Sequence, residues 1–135
     1  MENIIDMLHK GEFSCVMKNR EEIRTFTQRG VADLYQTEPA FMKGASIADK
    51  VIGKGAAALM VLGGFKAVYA DIISSPALAL LREAGVEVTF TREVPHIINR
   101  NKTGRCPLET ACSHLNSVEE MYPVIRDFIT KMRSV

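Results

Sequence analysis

An α/β fold, a three-layer α/β/α sandwich built on a mixed sheet, is the class this sequence predicts, and three observations lead there. Phe13, Cys15 and Met17 alternate with Ser14, Val16 and Lys18, and a second strand-like run follows at Ile23 to Thr27, the pattern of a β-hairpin. Phe65 to Ile73 and Val86 to Phe90 are strand-like runs separated by a helical segment, which makes a βαβ unit with parallel strands. Val118, Met121, Tyr122, Ile125, Phe128, Ile129 and Met132 recur at helical spacing, the apolar stripe of a helix packed on a core.

Each element has a local reason. Ile4, Ile5, Met7 and Leu8 make residues 2–9 a short amphipathic helix, closed by Gly11. The polar run Lys18 to Glu22 turns the first hairpin strand into the second. A helical turn from Gly30 through Val31, Leu34 and Tyr35 is expected to end at Pro39. Ser46 reads as the N-cap of a central helix containing "IADKVIGKGAAALM", with Asp49 as the acid of a capping box. Ser75-Pro76 opens the next helix, with proline at its tolerated first position, and Gly85 closes it. A polar segment, Asn99 to Arg105, leads to a helix expected to begin at Cys106-Pro107, and Ser117 with Glu120 caps the last helix.

The 135 residues suit one domain, 1–135, without repeats or linkers. Lysine and arginine total 17 against 16 acids, so the chain has no overall electrostatic pull toward nucleic acid or membrane. Met1 to Lys10 carries acids where a secretory signal needs an apolar core, and the three cysteines lack paired-ligand spacing. A cytoplasmic protein is expected, with Cys15 and Cys112 packed in the core.

Asp49-Lys50, Gly53-Lys54-Gly55-Ala-Ala-Ala58, the strand into Ser74-Ser-Pro76, Asn99-Arg100 and Thr103-Gly-Arg-Cys-Pro-Leu-Glu109 together carry a family likeness over most of the chain. They resemble a family of small, largely uncharacterised prokaryotic proteins that carry a domain of unknown function and are assigned to the cytidine-deaminase-like fold. The resemblance implies that fold and supplies no established substrate. A zinc deaminase needs H/C-x-E at one helix start and P-C-x-x-C at the next. Pro76 is present, but Ala77 and Leu80 stand at the thiolate positions, and Gly53-Lys54-Gly55-Ala56 offers neither ligand nor acid. His96 and His114 are not at ligand spacing, so no metal site and no cofactor is expected.

Two stretches are the candidate sites. Gly53, Lys54 and Gly55 fall where ligands enter open α/β sheets, at a helix start beyond the carboxyl ends of parallel strands. Their glycines serve either close ligand approach or tight helix–sheet packing. The G-x-x-x-x-G-K-[ST] spacing of a phosphate loop is missing. Lys50 and Lys54, four apart, would share a helix face, either solvated or holding an anion. In the second stretch Asn99, Arg100 and Arg105 supply donors for phosphate or carboxylate. Cys106 would sit at a helix N-cap beside Arg105, where the dipole lowers a thiol pKa, with Glu109 in the first turn; the plainer reading is that both only cap the helix.

Asp49 is either a capping acid or, with Lys50 and Cys106, part of a catalytic acid/base–thiol cluster. The functional readings are accordingly a metal-independent enzyme on a small anionic or nucleotide-like substrate, a non-catalytic module binding such a ligand, and a structural protein whose glycines serve packing. The expected partners are a small anionic ligand and a second copy of the chain, and neither nucleic acid nor membrane.

Overall fold

The chain runs α1 (Glu2–Lys10), β1 (Cys15–Asn19), β2 (Glu22–Phe26), α2 (Pro39–Met42), β3 (Ser46–Ile52), α3 (Lys54–Gly63), β4 (Ala67–Ser74), α4 (Ser75–Glu83), β5 (Glu87–Val94) and α5 (Val118–Arg133). The computed structural model describes residues 2–11, 13–27, 34, 35, 37–95, 112, 115 and 117–133. Its strands form one mixed sheet in the order β2-β1-β3-β4-β5. β1 is antiparallel to both β2 and β3, while β3, β4 and β5 are parallel.

The expected hairpin is present, with Asn19 opposite Glu22 across the two-residue turn Arg20-Glu21. The expected parallel βαβ unit is present as β4-α4-β5. A second such unit, β3-α3-β4, replaces the long central helix. Ser46 to Ile52 is a strand: Ile47, Val51 and Ile52 are β-branched, and pairing with β4 buries Ile47, Ala48 and Ile52 completely. Ser46 is therefore not an N-cap, Asp49 is not a capping-box acid, and Lys50 and Lys54 do not share a helix face. Leu34 and Tyr35 are helical and the helical conformation has ended before Pro39, while Gly30 and Val31 lie outside the described residues. Pro39 itself begins the next helical turn, where its ring suits the first position. Ser74, not Ser75, caps α4, its Oγ accepting the Ala77 N–H at 3.3 Å. Ser117 and Glu120 form the expected capping box, Glu120 N–H donating to Ser117 Oγ at 3.2 Å.

Helices pack on both faces of the sheet. Val16, Ala48 and Tyr69 align across β1, β3 and β4 and meet Ile4 and Leu8 of α1. The other face carries Met17, Ile47, Val68 and Ala70 against α3, α4 and α5. α3 is buried from Gly55 to Met60, because the sheet core, α4 and α5 pack around it. Its small residues allow those close approaches. Gly64 ends it in the left-handed region, φ 83°, with its N–H on Met60 and Val61 carbonyls. In α5 the stripe Met121, Ile125 and Ile129 is buried, but Tyr122 turns outward, 40% exposed, and stacks on Tyr35.

Candidate functional site

Three parallel strands end side by side at Ile52, Ser74 and Val94, and both helices that follow the first two start there. Gly53 is the N-cap of α3 and provides no side-chain cap; no acid occupies the first turn of either α3 or α4. Lys54, the first residue of α3, donates from Nζ to the Leu115 carbonyl at 2.7 Å. Ser75 Oγ donates to Glu93 Oε2 at 2.6 Å, tying the start of α4 to the end of β5. Among the described residues this edge brings together two helix N-termini, the Lys54 ammonium and the Ser75–Glu93 pair.

Asp49 is buried, 3% exposed, and its Oδ1 accepts the Val51 N–H at 3.3 Å. It pairs in register with Cys15 and Ala70, on the face covered by α3 to α5. Lys50 is exposed, as expected where successive strand residues take opposite faces. Strand geometry therefore directs Asp49 and Lys50 apart. Gly53 and Gly55 stay together at the helix start, Gly53 half-buried and Gly55 buried. Cys15 and Cys112 are buried as expected. Asn99, Arg100, Arg105, Cys106 and Glu109, with His96 and His114, lie outside the described residues.

A polar network on the opposite face went unread in the sequence. Tyr69 OH donates to Asp71 Oδ1 at 2.7 Å and lies 2.6 Å from Thr91 Oγ1, while His9 Nε2 of α1 is 2.6 Å from the same Asp71 oxygen. The available signal was Asp71 itself, an acid inside an otherwise apolar strand. Burial, first of all, raises the Tyr69 pKa above its ordinary 10.0; the Thr91 bond lowers it and Asp71 raises it. Tyr69→Phe is expected to cost about 1–2 kcal/mol at neutral pH, measured by urea unfolding. Above the unfolded-state value of 10.0 the unfolded chain loses its proton first, so this residue's contribution falls as pH rises. The stability gap between wild type and variant should narrow there. A gap unchanged between neutral and strongly alkaline pH would contradict the network.

Among the described residues no group of three or more His, Cys, Asp or Glu side chains could hold a metal, and no helix is long and apolar enough to cross a membrane. The chain superposes on the crystal structure of a DUF1893 family protein, TM1506, from Thermotoga maritima with a TM-score of 0.84. The two are 23% identical, over 96% of this chain and 88% of that one, a likeness of fold. No curated protein matches. The family model described as "TM1506: Domain of unknown function (DUF1893)" matches residues 3–129, nearly the whole chain, and the protein belongs to that family.

Proposed function

We propose that this protein is a non-catalytic module that binds a small anionic ligand at the carboxyl edge of β3 and β4, on a cytidine-deaminase-like scaffold without zinc chemistry. The observation carrying this reading is the start of α3. Gly53 leaves its first-turn N–H donors without a side-chain cap, no acid opposes the dipole, and the Lys54 ammonium stands at the same end. The scaffold reading is supported by the strand order with β1 antiparallel and by two helices opening at adjacent parallel strand ends. At those two helix starts stand Gly53-Lys54-Gly55 and Pro76-Ala77-Leu78-Ala79-Leu80, and neither glycine, alanine nor leucine side chains can ligate zinc. Binding is favoured over catalysis because Asp49 and Lys50 occupy opposite faces of β3.

The test is thermal unfolding with inorganic phosphate and with nucleoside monophosphates, beside elemental analysis and a cytidine deamination assay. A ligand at about 100 times its Kd should stabilise the fold by roughly 2.7 kcal/mol. Lys54→Ala should abolish that gain while still folding. No zinc and no deamination are expected. Stoichiometric zinc, or stabilisation that survives Lys54→Ala, would overturn the reading. So would a Cys106 thiol that titrates well below about 8.5 and whose loss abolishes turnover of the bound ligand.

A further inference from the structure

A second concavity lies at the opposite end of the sheet, where β3 and β4 begin and the β1–β2 hairpin turns. It is an open, solvent-facing concavity of about 700 Å³, and among the described residues its wall includes Arg20, Arg24, Lys43 and Lys66 with Glu22 and Glu38 as the acids. Both acids are already engaged, since Arg24 donates to Glu22 Oε2 and Glu38 Oε2 at 2.8 Å each. The same guanidinium lies 3.9 Å over the Phe41 ring, and the Arg24–Glu22–Glu38 group carries a net charge of about −1 against the three other cations of the wall. Among the described residues no carboxylate pairs with Arg20, Lys43 or Lys66. Two backbone acceptors here are engaged as well: Asn19 Nδ2 donates to the Phe41 carbonyl at 2.6 Å and the Lys43 carbonyl at 3.2 Å. What the cleft presents to a ligand is cationic.

Arg20 adds an independent observation. Its φ is 56°, the only positive value at a described non-glycine residue. Glycine is the residue that takes this turn position without strain, and a long β-carbon side chain there costs stability. A hairpin turn with arginine where glycine would be more stable keeps a charge at the mouth of a cationic cleft at the expense of the fold.

We propose that this cleft binds a small polyanion bearing two or more phosphate groups, through Arg20, Lys43 and Lys66. Several separated cations match several linked anionic groups better than they match one monoanion. The site is distinct from the α3 start, which lies at the other end of the same strands.

Isothermal titration with inorganic tripolyphosphate tests this, at matched ionic strength, on wild type and on Arg20→Gly, Lys66→Ala and Lys54→Ala. Wild type should bind tripolyphosphate saturably at this cleft, and more weakly as potassium chloride is raised. Lys66→Ala should weaken binding about tenfold, the equivalent of one charged contact. Arg20→Gly should weaken it similarly while its melting temperature rises, so loss of binding cannot be loss of folding. Lys54→Ala should remove only the binding contributed by the α3 start and keep the event that Arg20→Gly and Lys66→Ala weaken, which keeps this site's success or failure separate from that of the α3 start. Absence of saturable binding, wild-type affinity in Arg20→Gly, or loss of all tripolyphosphate binding in Lys54→Ala would overturn the proposal. Tighter binding to a single-stranded oligonucleotide than to tripolyphosphate would also overturn it, by making the surface a backbone track rather than a small-ligand cleft.

Discussion

Ile125→Ala is expected to lower the free energy of unfolding by about 2–5 kcal/mol, the range for removing a large aliphatic side chain from a packed core. Ile125 is 0% exposed and lies one turn from Met121 and one turn from Ile129, which are 0% and 1% exposed. This stripe packs α5 onto α3. α3 carries small buried residues, Ala56, Ala57 and Ala58, whose side chains are too short to swing into a cavity. Pro123 lies inside α5 and withholds one backbone N–H from it, so the helix depends more on packing than on its own hydrogen bonds. The neighbouring Arg126 is the control: its side chain is 52% exposed and sits 3.5 Å from a still more exposed Asp127. Arg126→Ala should change stability by no more than about 0.5 kcal/mol. Urea unfolding of both variants checks the pair. An Ile125→Ala loss below about 1 kcal/mol would mean that α5 does not seal this face of the sheet.

The sequence made the hairpin, the β4-α4-β5 unit and the α5 stripe legible because each rests on local periodicity plus a turn or cap. Residues 46–52 were not legible for a physical reason. Ile47, Ala48, Val51 and Ile52 recur at a spacing that also fits a helix, and only pairing with β4 decides for a strand. Along β3 the buried positions run Ile47, Ala48, Asp49 and Ile52, with Lys50 and Val51 exposed between, so even the folded strand lacks clean alternation. Tyr122 was misplaced because Val118, Met121 and Ile125 already fill the inner stripe; a residue one step round the helix falls at its border. Of the candidate site, the helix start at Gly53 to Gly55 could be found by motif, since glycine and lysine interrupt an apolar run. The polar network of His9, Tyr69, Asp71 and Thr91 and the cationic cleft could not. Each joins residues far apart in the chain, and only the register of the sheet brings them together.

Gly55→Val is expected to destabilise the protein by about 1–3 kcal/mol, the cost of forcing extra carbons into a filled interior. Helix propensity alone predicts the opposite sign, since valine is favoured over glycine in a helix by a few tenths of a kcal/mol. The sign therefore reports the surroundings. Gly55 is buried in the first turn of α3, ahead of the buried alanines 56–58, and the helix is enclosed by α4 and α5. Gly53, two residues earlier, should behave differently. Its backbone is ordinary extended chain, φ −98° and ψ 179°, open to any residue, and it is the N-cap with no side-chain hydrogen bond. Gly53→Ser supplies the missing acceptor for a first-turn N–H and should stabilise by a few tenths of a kcal/mol. The same hydroxyl would compete for the donors assigned to an anion, so Gly53→Ser should gain stability and lose ligand-induced stabilisation together. Thermal unfolding of both variants, with and without phosphate, separates the two roles of the glycine pair. If Gly55→Val is as stable as wild type, the start of α3 is an open surface. If Gly53→Ser keeps the full phosphate response, the first-turn N–H groups do not hold the anion.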